Sequence, residues 1–204
     1  MKLKNLEMAL QRLAGYAKPR ASLEQYQTPA PLAARLLYHA YMKRDIEGKR
    51  VCDLGSGTGV LAIGAALLGA AAVTGYEIDE NAVEIAKKNA ALLDAEVEFS
   101  VADVTDTQSA EISGPFDTVV MNPPFGAQKE HADRPFIDRA IQVAPITYGI
   151  FNTGSTPFIH AYTKNRAQIT ERVGGTFPIR RTFFFHTRDV QDIEVEILRL
   201  QRRQ

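Results

Sequence analysis

Three short stretches carry residues whose types and spacing could do chemistry. In "VCDLGSGTG" an acid, Asp53, closes an apolar run, and Gly55, Gly57 and Gly59 follow at alternate positions. Glycines so placed let the main chain turn sharply and let a ligand lie against backbone with no Cβ in the way. A second acid, Glu77, ends the next apolar run in "GYEID". The third stretch, "TVVMNPPFG", drives an apolar run straight into Asn122, Pro123, Pro124 and Phe125. Two prolines stiffen a turn, while the amide and the ring beside them offer hydrogen bonds and a stacking surface.

The glycine loop points to a nucleotide-like ligand at the carboxyl edge of a sheet. A dinucleotide fingerprint would require glycine where Val60 stands, and a P-loop would require a lysine and a hydroxyl after the glycines; both are absent. An acid-ended strand followed by G-x-G-x-G instead resembles the class I S-adenosylmethionine-dependent methyltransferases. That cofactor has no phosphates. It needs an acid near its ammonium group, open backbone beside its methionine part and a second acid for its ribose diol. Glu77, about twenty residues beyond the loop, can accept both ribose hydroxyls. The resemblance further implies Ile78 beside the adenine, Asp79 as the cap of the next helix, and Asp103 and Val104 at the adenine amino group.

Asn122-Pro-Pro-Phe after a strand resembles the signature of amino methyltransferases. An exocyclic adenine amine is a poor nucleophile because its lone pair is delocalised into the ring. The Asn122 oxygen and the Pro123 carbonyl can accept its N–H bonds and favour a pyramidal nitrogen, with both prolines holding the acceptors still. Alignment of nucleophile, methyl and leaving sulfur can supply about 7–11 kcal/mol of barrier reduction. Phe125 would stack on a flipped-out base, worth about 1–3 kcal/mol. A glutamine side-chain amide would suit the same four residues, as in the release-factor methyltransferases, although Phe125 rather than Tyr leans toward adenine.

The elements that must position these residues follow from periodicity. Leu3, Leu6, Leu10 and Leu13 suggest a short amphipathic helix closing near Gly15, and a second helix is expected from about 30 to 43, capped by Thr28 and entered through Pro29 and Pro31. Then come strand "RVCDL", a helix over 59–68, strand "AAVTGYE", helix "NAVEIAKKNAALL", and strands "EVEFSV" and "FDTVVMN". Such alternation implies parallel strands with covering helices. Farther on, "PFIDRAIQVA" reads as a helix, "TYGIFN" as a strand, and "PFIHAYTKNRAQITERV" as a helix ending at Gly174-Gly175. "TFPIRRTFFFHT" and "DIEVEILRLQ" alternate with period two and predict an antiparallel pair at the sheet edge. The whole pattern is one mixed sheet with helices on both faces, in a single domain over 1–204 with a helical extension over 1–44.

Composition bounds the class. Lys+Arg and Asp+Glu both number 24, so no overall field recruits a polyanion, but residues 160–204 hold nine basic against five acidic side chains. Cys52 stands alone, which excludes an internal disulfide and a cysteine zinc site, and His39, His131, His160 and His186 show no ligand spacing. The N-terminus lacks the uninterrupted apolar core of a signal peptide and no apolar run reaches membrane-spanning length. A cytoplasmic protein away from membranes is expected.

Taken together, "LEQYQTPAPLAARLLY", "DLGSGTGVLAIGAALLGA", "GYEIDENAVEIAKKNA", "FDTVVMNPPFG" and "FFFHTRDVQDIEVEIL" resemble the methyltransferase-like protein 5 family over nearly the whole chain. Members of that family methylate adenine N6 in small-subunit ribosomal RNA. The resemblance implies a Rossmann-like class I fold with a seven-stranded mixed sheet. It implies that Gln25 and Thr28 close over S-adenosylmethionine, that Gly55, Gly57, Thr58 and Val60 line it beside Asp53, and that Asn122 to Phe125 hold the target base. Arg180, Arg181, His186 and Arg188, interleaved with Phe183, Phe184 and Phe185, would then contact RNA. Family members are stabilised by a small zinc-binding activator that adds a strand to the sheet, here at the edge strand 96–101, whose Val97, Phe99 and Val101 side is apolar. Other readings are an adenine methyltransferase on DNA or transfer RNA, a glutamine-amide protein methyltransferase, and a non-catalytic ribosome-assembly factor. A pure binder has no chemical reason to keep Asn122 and Phe125.

Overall fold

The computed structural model describes residues 1–106, 112, 114–126, 130–180 and 190–203, without the side chains of 177–180 and 190–193. Helix α1 (Leu3–Leu10), a 3-10 turn (Ala21–Leu23) and α2 (Ala30–Met42) precede the sheet. Strands β1 (Arg50–Leu54), β2 (Ala72–Glu77), β3 (Glu98–Val101) and β4 (Thr118–Met121) follow, with α3 (Val60–Leu67) and α4 (Glu80–Leu92) between the first three. The chain then forms α5 (Arg134–Val143), β5 (Ile146–Asn152), α6 (Thr156–Thr163), β6 (Ala167–Arg180) and β7 (Val190–Arg202). The spatial order is β3-β2-β1-β4-β5-β7-β6, with β1 to β5 parallel and β7 antiparallel to both of its neighbours.

The central strands read as unbroken apolar runs because both of their faces are covered. In β4, Val120 packs with Leu6, Leu10, Leu36, Leu37 and Ile63 beneath the first three helices, while Val119 and Met121 pack with Ile137, Ile141 and Ile159 on the opposite face. A strand's period of two sends neighbours to opposite layers, and those two layers are the core. The apolar repeat of α1 thus has a definite job: Leu6 and Leu10 are sealed against α2 and α3, which ties the N-terminal extension to the sheet.

Two expectations fail locally. The segment 167–173 is strand, not helix. Ile169 and Val173 stand four apart, as on a helical face, but a register irregularity between Ile169 and Glu171 lets Ile169 pack on one side of the sheet and Val173 on the other. The helix stops earlier, where Thr163 Oγ1 donates back to the Ile159 carbonyl at 2.8 Å and the Arg166 amide closes a turn on Thr163. Thr28 does not cap α2, whose N-cap is Pro29 without a side-chain bond. The predicted edge strand is indeed β3, but its apolar side is uneven: Phe99 is buried under α4 while Val101 stays 48% exposed.

The extension is also hooked to the glycine loop by one amide. Asn89 of α4, 3% exposed, accepts from the Ala14 amide at 2.9 Å and donates to the Ala14 and Thr58 carbonyls, each at 2.9 Å. A buried amide satisfied at both ends pins two loops at once, each such bond contributing about 0.5–1.5 kcal/mol.

Candidate functional site

At the carboxyl ends of β1 to β4 the loops part around one cavity of about 510 Å³. Ligands of open parallel sheets bind at this edge. From the sheet, Asp53, Gly55, Gly57, Thr58 and Val60 line it after β1, Glu77 and Ile78 after β2, Asp103 and Val104 after β3, and Asn122, Pro123, Pro124 and Phe125 after β4. The segment before α2 covers it with Tyr16, Glu24, Gln25 and Thr28, and His131 and Phe136 stand on its far side. Every residue expected to hold cofactor or target base therefore faces the same hollow. Arg181, His186 and Arg188 lie outside the described residues, and Arg180 is described only as backbone in β6.

The cofactor half is a set of buried acceptors. Asp53 is 1% exposed; its Oδ2 accepts from the Ala62 amide at 2.9 Å, and its Oδ1 has no partner among the described residues. Burial, only partly offset by that amide, pushes the Asp53 carboxyl up to about 8. Glu77 accepts from the Gly57 amide and from the Asp79 amide, each at 2.9 Å, and burial still outweighs these bonds and raises its pKa above the ordinary carboxylate range. Gly57 has φ +54°, and the Tyr16 hydroxyl lies 2.2 Å from where a Cβ would stand. Any side chain at 57 would collide with that ring and strain the turn. Tyr16 itself is kept firmly protonated by burial and by Glu77, Asp53 and Asp79.

Asp79 does cap α4, accepting from the Asn81 amide at 3.1 Å. Its other oxygen takes Gln25 Nε2 at 2.7 Å and Arg20 at 2.8 Å. Gln25 Oε1 accepts from the Arg20 amide at 2.7 Å, so Gln25 lines the cavity with both ends of its amide committed to the protein. Ile78 is 48% exposed, an apolar side chain open to a flat ring. Asp103 Oδ1 accepts from the amide and hydroxyl of Thr105 at 2.8 and 2.7 Å, which fixes its carboxylate at the rim.

These residues fit S-adenosylmethionine. The Asp53 oxygen without a partner among the described residues suits a cationic amine, and the Ser56 and Thr58 hydroxyls, likewise without partners there, suit further polar atoms. A pH dependence follows. With its carboxyl raised to about 8, Asp53 must give up a proton at neutral pH to pair with an ammonium, so binding should release a proton and tighten by up to about tenfold per pH unit below about 8. Above that the ligand's own α-amino group, near 7.7–8.0, loses its charge and affinity should fall. Calorimetry in buffers of different ionisation enthalpy checks the proton count, and Asp53→Asn should flatten the profile. For the free protein the sign is opposite. Between the ordinary value of 3.8 and about 8 the unfolded chain ionises while the native carboxyl does not, so this group costs stability as pH rises through that window.

The acceptor half is built around one amide. Asn122 Nδ2 donates to Thr28 Oγ1 at 3.0 Å, while its Oδ1 is buried without a partner among the described residues. Thr28 therefore sets which way the amide points and leaves its oxygen as an acceptor without a partner among the described residues. The Phe125 amide donates to Glu24 Oε2 at 2.8 Å. Sequence reasoning missed Tyr16, Glu24 and Asn89. Each acts across more than thirty residues of chain, and no local spacing signals such contacts.

The fold and this pocket define a class I, Rossmann-like methyltransferase that uses S-adenosylmethionine. Residues 31–147 match the family model described as the methyltransferase small domain. The chain is 38% identical to an uncharacterized protein of Methanocaldococcus jannaschii (99% of this chain, 95% of that one) and 35% identical to the rRNA N(6)-adenosine-methyltransferase METTL5 of Danio rerio (98% of each). A solved Pyrococcus horikoshii structure, described as a candidate RNA methyltransferase, superposes with a TM-score of 0.90 at 38% identity, covering 99% of this chain and 98% of that one. This chain belongs to the METTL5 family of the small-domain methyltransferases.

Proposed function

We propose that this protein transfers a methyl group from S-adenosylmethionine to N6 of an adenine in small-subunit ribosomal RNA. The observation that carries the reading is Asn122, its Oδ1 buried without a partner among the described residues, lining the same cavity as Asp53 and Glu77. When bound, the cofactor supplies an electrophilic methyl on a sulfonium. The chain's own residues supply the rest. Glu77 stands ready for the ribose diol, Asp53 for the ammonium, Ile78 and Val104 for the faces of the adenine ring, and Asp103 for its amino group. Asn122 Oδ1 and the Pro123 carbonyl accept the N–H bonds of the target amine and turn its lone pair toward the methyl. Pro124 stiffens the turn, and Phe125 stacks on the base. The alkylated nitrogen is strongly acidic and sheds its proton without a dedicated base. Phe125, where the release-factor methyltransferases have Tyr, favours adenine over a protein glutamine.

Labelled S-adenosylmethionine offered to separate pools of ribosomal RNA, transfer RNA, DNA and protein tests the assignment, with label expected at adenine N6 in the small-subunit RNA. Label in protein alone would overturn it. The cytoplasm is the site of action we propose; no helix among the described residues is long and apolar enough to cross a membrane.

We propose a partner on β3 as well. This strand is the sheet edge, pairs only with β2 among the described strands, and presents Val101 to solvent. Exposed strand edges invite pairing. A small zinc-binding activator that adds a strand here should raise the melting temperature, while a melt unchanged by a saturating excess would exclude it.

A further inference from the structure

The turn Asn122-Pro-Pro-Phe has an unusual supply of donors. Pro123 and Pro124 carry no N–H, so the Phe125 amide is the first backbone donor after Asn122. That donor does not go to the sheet or to its own loop. It reaches Glu24 Oε2 at 2.8 Å, 101 residues away in sequence.

Glu24 is held in an uncommon conformation to receive it. At the end of the 3-10 turn its backbone has φ 48° and ψ 44°, the left-handed region that glycine adopts freely and glutamate does not. Non-glycine residues persist there when their surroundings over-determine them, often at binding and catalytic sites. Its neighbour Gln25 is locked to Asp79 on the cofactor side, and Thr28 receives the Asn122 amide. One short segment thus grips both ends of the acceptor turn while also walling the cofactor half.

We propose that Glu24 is a positioning residue for methyl transfer: its carboxylate fixes the Phe125 end of the acceptor turn, so that the segment covering the cofactor also sets the wall against which the target base rests. This rests on the reading of residues 122–125 as the base-binding turn. Glu24 need not touch the reacting atoms. It acts through the Phe125 amide, and the placement of the ring and of Asn122 follows.

Glu24→Gly is the informative variant, because it removes the carboxylate while suiting the left-handed backbone. Glu24→Gln, which keeps an acceptor oxygen, is its control. In the full-length protein, Phe125 amide exchange measured by NMR should quicken by at least about tenfold in Glu24→Gly and return most of the way in Glu24→Gln. With ribosomal RNA as substrate, kcat should fall by about ten- to a hundredfold in Glu24→Gly while the dissociation constant for S-adenosylmethionine stays within about threefold. Unchanged Phe125 exchange would overturn the proposal, and so would a loss of cofactor affinity matching the loss of rate, since the segment would then serve only as a cofactor cover. The exchange measurement needs no substrate, so a failure of the adenine reading itself, seen as absence of RNA labelling by the wild type, is told apart from a failure of Glu24.

Discussion

Asn122→Ala is expected to lower the rate of RNA methylation by about 10²–10³-fold while leaving S-adenosylmethionine affinity within about threefold. The magnitude is that of removing one preorganised polar group aimed at the reacting centre, about 2.7–4 kcal/mol. Asn122 Oδ1 is buried without a partner among the described residues, and a ligand N–H would supply the missing hydrogen bond. Thr28 supports the same geometry from the other side by receiving Nδ2 at 3.0 Å. Thr28→Val keeps the shape but not the acceptor, frees the amide to rotate, and should cost about tenfold in rate. Single-turnover assays with cofactor saturating check both. An alanine variant within tenfold of the wild type would remove Asn122 from the mechanism.

Glu77→Ala should be the most damaging change on the cofactor side. Its carboxylate takes the amides of Gly57 and Asp79, so it both shapes the glycine turn and presents its remaining lone pairs to the cavity. Charge-assisted hydrogen bonds are worth about 1.5–3 kcal/mol each, and the two ribose hydroxyls together would account for a loss of about 10²–10⁴-fold in cofactor affinity. Glu77→Gln retains one acceptor oxygen and should fall between. Calorimetric titration measures this directly, with RNA affinity as the control that should move little. A Glu77→Ala variant that still bound cofactor within threefold of the wild type would place the ribose elsewhere.

Much of the site was legible before any coordinates because its parts lie at strand ends. Asp53, Glu77 and Asn122 each close an apolar run, and parallel strands bring their carboxyl ends to one rim. The segment before the sheet was recognised only through its family likeness, and its mechanics were not readable. Thr28 has the look of a helix cap yet spends its hydroxyl on Asn122, 94 residues away. Tyr16 is one of seven tyrosines, and nothing beside it in sequence tells that its hydroxyl rests against Gly57. The misjudged helix beyond Thr163 has a different cause: Ile169 and Val173 stand four apart as on one helical face, and only pairing with β7, with its irregularity between Ile169 and Glu171, makes the segment strand and sends them to opposite sides.

The bare oxygen of Asn122 also implies a sorting rule among purines. It can welcome a base that offers hydrogen at position six and must repel one that presents a carbonyl there, since two oxygens would meet with no proton between them. With residues 122–125 holding the target base as proposed, guanine and hypoxanthine should be refused on that ground, and an RNA carrying inosine in place of the target adenosine should go unmethylated.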